Sequence, residues 1–118
     1  MHTKQVIGAL ASLAQETRLA IFRLLVERGP DGLAAGTIAE RLDVPDSSLS
    51  FHLAHLTRAG LLVQRREGRS LVYSADFGGM NSLVAYLTEN CCRGRPEDCG
   101  LPVCDPVPAV APKKRSAR

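Results

Sequence analysis

Tryptophan is absent and aromatic residues make up only 4% of the chain, so an aromatic platform for stacking unpaired bases is not expected. No apolar run approaches the ~18 residues of a membrane-crossing helix. No glycine-rich phosphate loop is present, and so short a chain is filled by its own core, so an enzyme is not expected. The first 90 residues hold no cysteine, which excludes a disulfide framework through the fold. They also lack an excess of either charge, with nine basic and nine acidic side chains.

What is present is an ordinary globular composition in 118 residues, with 45% hydrophobic and 23% charged side chains. That length suits one domain and is too short for a two-lobed enzyme with a cleft. Lys4 before the apolar stretch 6–14 has the outline of a short signal peptide. Gly8 and Ser12 interrupt the stretch, and it runs on into a helical pattern, so a cytoplasmic protein is expected. The net charge of +3 comes wholly from residues 91–118, which carry six basic and three acidic side chains. From Pro102 onward, four prolines and the run Lys113-Lys114-Arg115 read as a disordered basic tail. All four cysteines, Cys91, Cys92, Cys99 and Cys104, lie in this last part. The division expected is therefore a folded domain over 1–92 and a flexible tail over 93–118.

Periodicity orders the body. Val6, Ile7, Leu10, Leu13 and Ala14 fall on one helical face. A second helix follows, with Thr17 able to cap it and Leu19, Ile21, Phe22, Leu24, Leu25 and Val26 making it apolar on most sides, as in a central buried helix. Gly29-Pro30-Asp31-Gly32 ends it. A short helix from Ala35 or Gly36 carries Ile38, Ala39 and Leu42 until Asp43-Val44-Pro45 breaks it. Asp46, Ser47 or Ser48 can cap the next helix, which Gly60 closes. Its Leu49, Leu53 and Leu56 form a narrow apolar stripe. Residues 61–66 and 70–74 read as strands of a hairpin around Glu67-Gly68-Arg69. Phe77, Met80, Leu83, Val84 and Leu87 mark a last helix running into Cys91. The fold class is mainly α with a β-hairpin wing, in the order α-α-α-α-β-β-α.

Residues 36–59 form a helix-turn-helix candidate whose second helix could enter a major groove about 12 Å wide. Ser47, Ser48, Ser50, His52, His55 and Arg58 lie off its leucine stripe as candidate contacts to double-stranded operator DNA. Arg65, Arg66 and Arg69 surround the hairpin tip, where a wing would meet the DNA backbone. His52 and His55 could also share a metal, but no third ligand is near in sequence. One such domain reads a short half-site, so a two-fold homodimer through the first and last helices is expected.

Four stretches carry a family resemblance: ALASLAQETRLAIFRLLVERGPDGL (9–33), IAERLDVPDSSLSFHLAHLTRAGLL (38–62), REGRSLVYS (66–74) and LVAYLTENCC (83–92). Through them the chain resembles the ArsR family of winged helix-turn-helix repressors. The resemblance implies a homodimer that represses its own operon and leaves DNA when an ion binds. Two sensing sites of that family are missing here. The segment IAERLDV lacks the Cys-x-Cys pair of one arsenic site, and FGGMNSLVAYLTEN lacks the histidines of the zinc and nickel sites. The terminal cysteines resemble those of arsenite repressors with three thiols at the end of the last helix. Cys91, Cys92 and Cys99 could surround trivalent arsenic in a trigonal pyramid, and antimonite has a similar preference for soft sulfur. Arg93 and Arg95 would favour the thiolates. Adjacent cysteines cannot readily face one ion within a regular helix, so fraying is expected there. Cys104 is a possible fourth ligand if the ion is tetrahedral zinc. Oxidation to a disulfide is a further alternative trigger. No constitutive cofactor is expected.

Overall fold

The punctuation seen in the sequence becomes the element boundaries. The computed structural model describes residues 1–94, apart from the side chain of Cys92. Within these residues five helices and three strands run in the order α1 (Thr3–Leu13), α2 (Glu16–Arg28), β1 (Leu33–Ala34), α3 (Ala35–Leu42), α4 (Asp46–Arg58), β2 (Leu62–Glu67), β3 (Ser70–Ala75) and α5 (Phe77–Leu87). A 3-10 turn at Cys91–Gly94 follows. Met1–Val84 form one compact unit, so its boundary with the second unit, Ala85–Arg118, falls inside α5. The tail expected from residue 93 lies, beyond Gly94, outside the described residues. Among the described residues no helix is long and apolar enough to cross a membrane.

The core is aliphatic: Ile21 and Leu25 of α2, Ile38 of α3, Leu49, Leu53 and Leu56 of α4, and Leu61 are fully buried. The leucine stripe of α4 therefore lies where its spacing put it, against α2 and α3. Helix α2 is less enclosed than its composition suggested. It buries Ile21, Phe22 and Leu25 and leaves Leu19 exposed. In α1 the expected apolar face divides. Val6, Ala9 and Ser12 turn inward, while Ile7 and Leu10 are 60% and 41% exposed. Small side chains at Ala9 and Ser12 let α1 lie close to the rest of the domain, which is why a serine sits where a leucine face was expected.

The hairpin belongs to a three-stranded antiparallel sheet of order β1-β3-β2. Strand β1 is the element missed in the sequence. Its two residues pair as Leu33 with Tyr73 and Ala34 with Val72. The hairpin loop is also one residue tighter than expected, because Glu67 pairs with Ser70 and only Gly68 and Arg69 turn. Gly68, at φ 62°, takes the left-handed position that a two-residue hairpin assigns to glycine.

Helix caps correct two expectations, and a third cap is new. At α2 the Gln15 side chain, not Thr17, accepts the Arg18 amide at 2.8 Å. At α4 Pro45 occupies the cap position, and no side chain caps the helix. Asp46 instead adds a negative charge to the first turn, favourable beside the helix dipole. At α5 the Asp76 carboxylate accepts the Gly79 amide at 2.9 Å. A Cβ on Gly79 would strike the Gly60 carbonyl oxygen, so glycine there lets the start of α5 close against the end of α4.

Candidate nucleic-acid interface

Each residue turns an α-helix by about 100°. With Leu49, Leu53 and Leu56 facing the core, Ser47, Phe51, Ala54 and Arg58 project to the opposite side of α4. All four are exposed, as are Ser48 and Ser50 beside them. Ser50 also bonds back, its Oγ donating to the Asp46 carbonyl at 3.1 Å. The outward ridge is thus a hydroxyl, an aromatic ring, a methyl and a guanidinium, flanked by the Ser48 and Ser50 hydroxyls, a set able to meet both polar and apolar groove edges.

His52 and His55 occupy the flank of α4 between ridge and stripe, and both are half-buried. His55 Nδ1 lies 2.9 Å from Ser12 Oγ, whose residue is fully buried in α1. Arg18 of α2 reaches the same place. Its Nε donates to the Ser12 carbonyl at 2.7 Å, and its Nη1 lies 3.3 Å from His52 Nδ1. Guanidinium nitrogens only donate, so His52 Nδ1 must accept and its ring proton must sit on Nε2. Burial, then the charges of Arg18 and His55, hold the His52 pKa below its usual 6.5. These two histidines therefore bind α4 to α1 and α2, whereas the sequence reading considered them only as contacts to DNA or metal.

The sign of the resulting pH effect follows from the lowered value. Folded His52 resists a proton that the unfolded chain accepts. Its contribution to stability is complete above pH 6.5 and is lost as pH falls through the lowered folded pKa. Urea midpoints are expected to drop between about pH 7.5 and 5.5, and less steeply for His52→Gln, whose amide does not titrate. An equal slope in both proteins would refute this account of His52.

The wing arginines divide as well. Arg65 is fixed: its Nε donates to Glu67 at 2.6 Å, and its Nη2 and Nη1 donate to the Asp31 and Pro30 carbonyls at 2.6 and 3.4 Å. It braces the hairpin against the loop between α2 and β1. Arg66 and Arg69 are exposed, and among the described residues no hydrogen bond or ion pair engages their side chains. Two cations thus stand open near the hairpin tip.

The thiol cluster is only partly visible. Cys91 is half-buried and Cys92 follows it, both in the 3-10 turn and not on α5. Helix α5 stops at Leu87, and Asn90 takes a left-handed φ of 58° before the turn. The regular helix is therefore lost before the adjacent cysteines, and the last helix does not itself carry them. The side chain of Cys92, and all of Arg95, Cys99 and Cys104, lie outside the described residues. Among the described residues no three His, Cys, Asp or Glu side chains gather to hold a metal.

Sequence reading missed two features of α4. Phe51 was legible in principle, since the same helical rotation that buries Leu49 and Leu53 turns it outward. The Ser12 and Arg18 partners had no local signal, because they act from other helices.

A family described as a helix-turn-helix domain matches residues 13–65. A Halobacterium salinarum protein named as an arsenical resistance operon repressor is 39% identical over 79 residues. That match covers 67% of this chain and 60% of the relative, so the chain spans under two thirds of that protein's length. A solved ArsR-like transcriptional regulator from Rhodococcus is 28% identical, with a TM-score of 0.64 over 71% of this chain and 76% of its own. The solved HlyU of Vibrio cholerae is 30% identical, with a TM-score of 0.58 over 74% of this chain and 97% of its own.

Proposed function

We propose that this chain, which belongs to the ArsR family of winged helix-turn-helix transcriptional regulators, is a homodimeric repressor that leaves its operator when arsenite or antimonite binds Cys91, Cys92 and Cys99. The observation that carries the DNA half is the outward ridge of α4 standing with open Arg66 and Arg69 on one domain. The ridge would read base edges in the major groove, and the wing would hold phosphates. Ile7 and Leu10 on α1, at 60% and 41% exposure, leave large apolar side chains without cover. A second copy would cover them and set two reading heads on a two-fold operator.

The inducer half rests on the donor set. Four thiols and no histidine past residue 90 suit a soft, thiophilic ion. Two of them fall in a 3-10 turn that follows a left-handed break, beyond the end of the regular helix. Ion binding releases DNA only if the ion prefers the form that cannot bind DNA, and operator DNA must weaken ion binding by the same factor.

The test is fluorescence anisotropy on the DNA upstream of the coding sequence, under reducing and anaerobic conditions, with arsenite and zinc titrated separately. Arsenite is expected to weaken binding by about 5–150-fold, the usual range of such coupling, and zinc is expected to do nothing. Cys91→Ser, Cys92→Ser and Cys99→Ser should each bind DNA as the native chain does and ignore arsenite, whereas Cys104→Ser should respond. Release by zinc alone would replace the three-thiol site with a four-cysteine one. Release by peroxide alone would replace the ion with a disulfide.

A further inference from the structure

We infer that Phe51 is a specificity-determining residue, reading thymine in the operator through that base's C5-methyl group. The inference rests on the reading that α4 enters the major groove.

Phe51 is the anomaly of the ridge. It is 59% exposed, the chain has only three phenylalanines, and the other two are buried or half-buried. An exposed ring adds little to the core, so stability does not explain it. The ring is nonetheless held in place. It makes edge contacts with His52, centroids 5.6 Å apart at 66°, and with His55, 6.1 Å apart at 63°. Those two imidazoles are themselves anchored, His55 by buried Ser12 and His52 by Arg18. The chain of contacts runs from α1 and α2 through two histidines to an outward ring. Its orientation is therefore set before DNA arrives, and little side-chain entropy remains to be lost on binding.

The chemistry then selects the base. A phenyl ring offers no hydrogen-bond donor or acceptor. Set against the amino group of adenine or cytosine, or the carbonyl of guanine, it would strip water from a polar atom and return nothing. Thymine alone presents an apolar group in the major groove, and apolar contact with its methyl is an established mode of readout. Ala54 is exposed on the next turn of the same ridge and adds no bulk to hold the groove away. Ser47 and Arg58, farther along, remain for polar edges and phosphates.

The experiment removes only the methyl. A duplex is first selected from a randomised pool with the full chain, and each thymine in a half-site is then replaced singly by deoxyuridine. Binding is measured by anisotropy for the native chain, Phe51→Ala and Phe51→Leu, with thermal melts to establish that each variant folds. Losing one buried methyl is expected to weaken native binding about fourfold at one or two positions. In Phe51→Ala the penalty at those positions should vanish, and Phe51→Leu should keep part of it. Uniform tolerance of deoxyuridine by the native chain, or a penalty that persists in Phe51→Ala, would overturn the inference. A pool that yields no enriched duplex would defeat the DNA reading itself, a separate and recognisable failure.

Discussion

Replacing Arg66 and Arg69 together with alanine is expected to lower affinity for duplex DNA about 60-fold for each wing engaged at ~0.1 M salt, and to flatten its salt dependence by about 1.8 logarithmic units per tenfold change per wing, twice that for a dimer with both wings bound. The reasoning is counterion release. Each phosphate neutralised contributes ~0.9 to that slope, so the two contacts removed from each wing at ~0.1 M relative to ~1 M forfeit almost two decades of binding per wing. Both side chains are exposed, and among the described residues neither is engaged, so the fold should not notice their loss beyond about 0.5 kcal/mol. The effect should be the same on any sequence, because phosphates carry no base identity. Arg65→Ala makes the internal comparison. Its guanidinium is already occupied by Glu67, Asp31 and Pro30, so its removal should loosen the hairpin and leave the slope nearly unchanged. A double variant with the native slope would show that the wing lies away from the DNA backbone.

The contrast among these arginines also marks how far sequence could be read. Leu49, Leu53 and Leu56 announce their burial through spacing alone, and Gly60 and Gly68 announce their turns through backbone geometry that few other residues adopt. Those are local signals, and they delivered the order of helices, the turn and the wing. Strand β1 has no such signal, because two residues acquire strand geometry only by pairing with Tyr73 and Val72. Arg65, Arg66 and Arg69 look alike in sequence, and only the position of the Pro30-Asp31 loop separates them. His52 and His55 stand in the same polar phase as the serines, yet their partners are 34 and 43 residues away. The ridge was legible as a helical face and incomplete as a set, since a polar search passes over Phe51. The thiols were legible as a composition, and their closing geometry depends on residues beyond the described part of the chain.

Leu53→Ala should be the most damaging single change in the reading helix. Leu53 is buried at the middle of the stripe, between Leu49 and Leu56. Deleting such a side chain costs about 2–5 kcal/mol, part from lost transfer and part from the cavity that remains. For a domain whose whole stability is of order 5–15 kcal/mol, that means a melting temperature lower by about 10–30 °C. The polar bonds along the same helix do not offset it, since each contributes about 0.5–1.5 kcal/mol. Their role differs in kind. The stripe fixes that α4 is packed, while Ser12–His55 and Arg18–His52 fix the rotation at which it is packed. The two kinds of change should therefore separate in measurement. Leu53→Ala lowers the urea midpoint strongly, and its remaining folded fraction binds DNA with nearly native affinity. His55→Ala leaves buried Ser12 without its partner, costs about 1–3 kcal/mol, and weakens DNA binding even where the protein is fully folded. If Leu53→Ala lost under about 1 kcal/mol, the stripe would not be the anchor of the helix. If His55→Ala bound DNA as tightly as the native chain, the histidines would serve the core alone, and the rotation of the ridge would have to be set by the leucines.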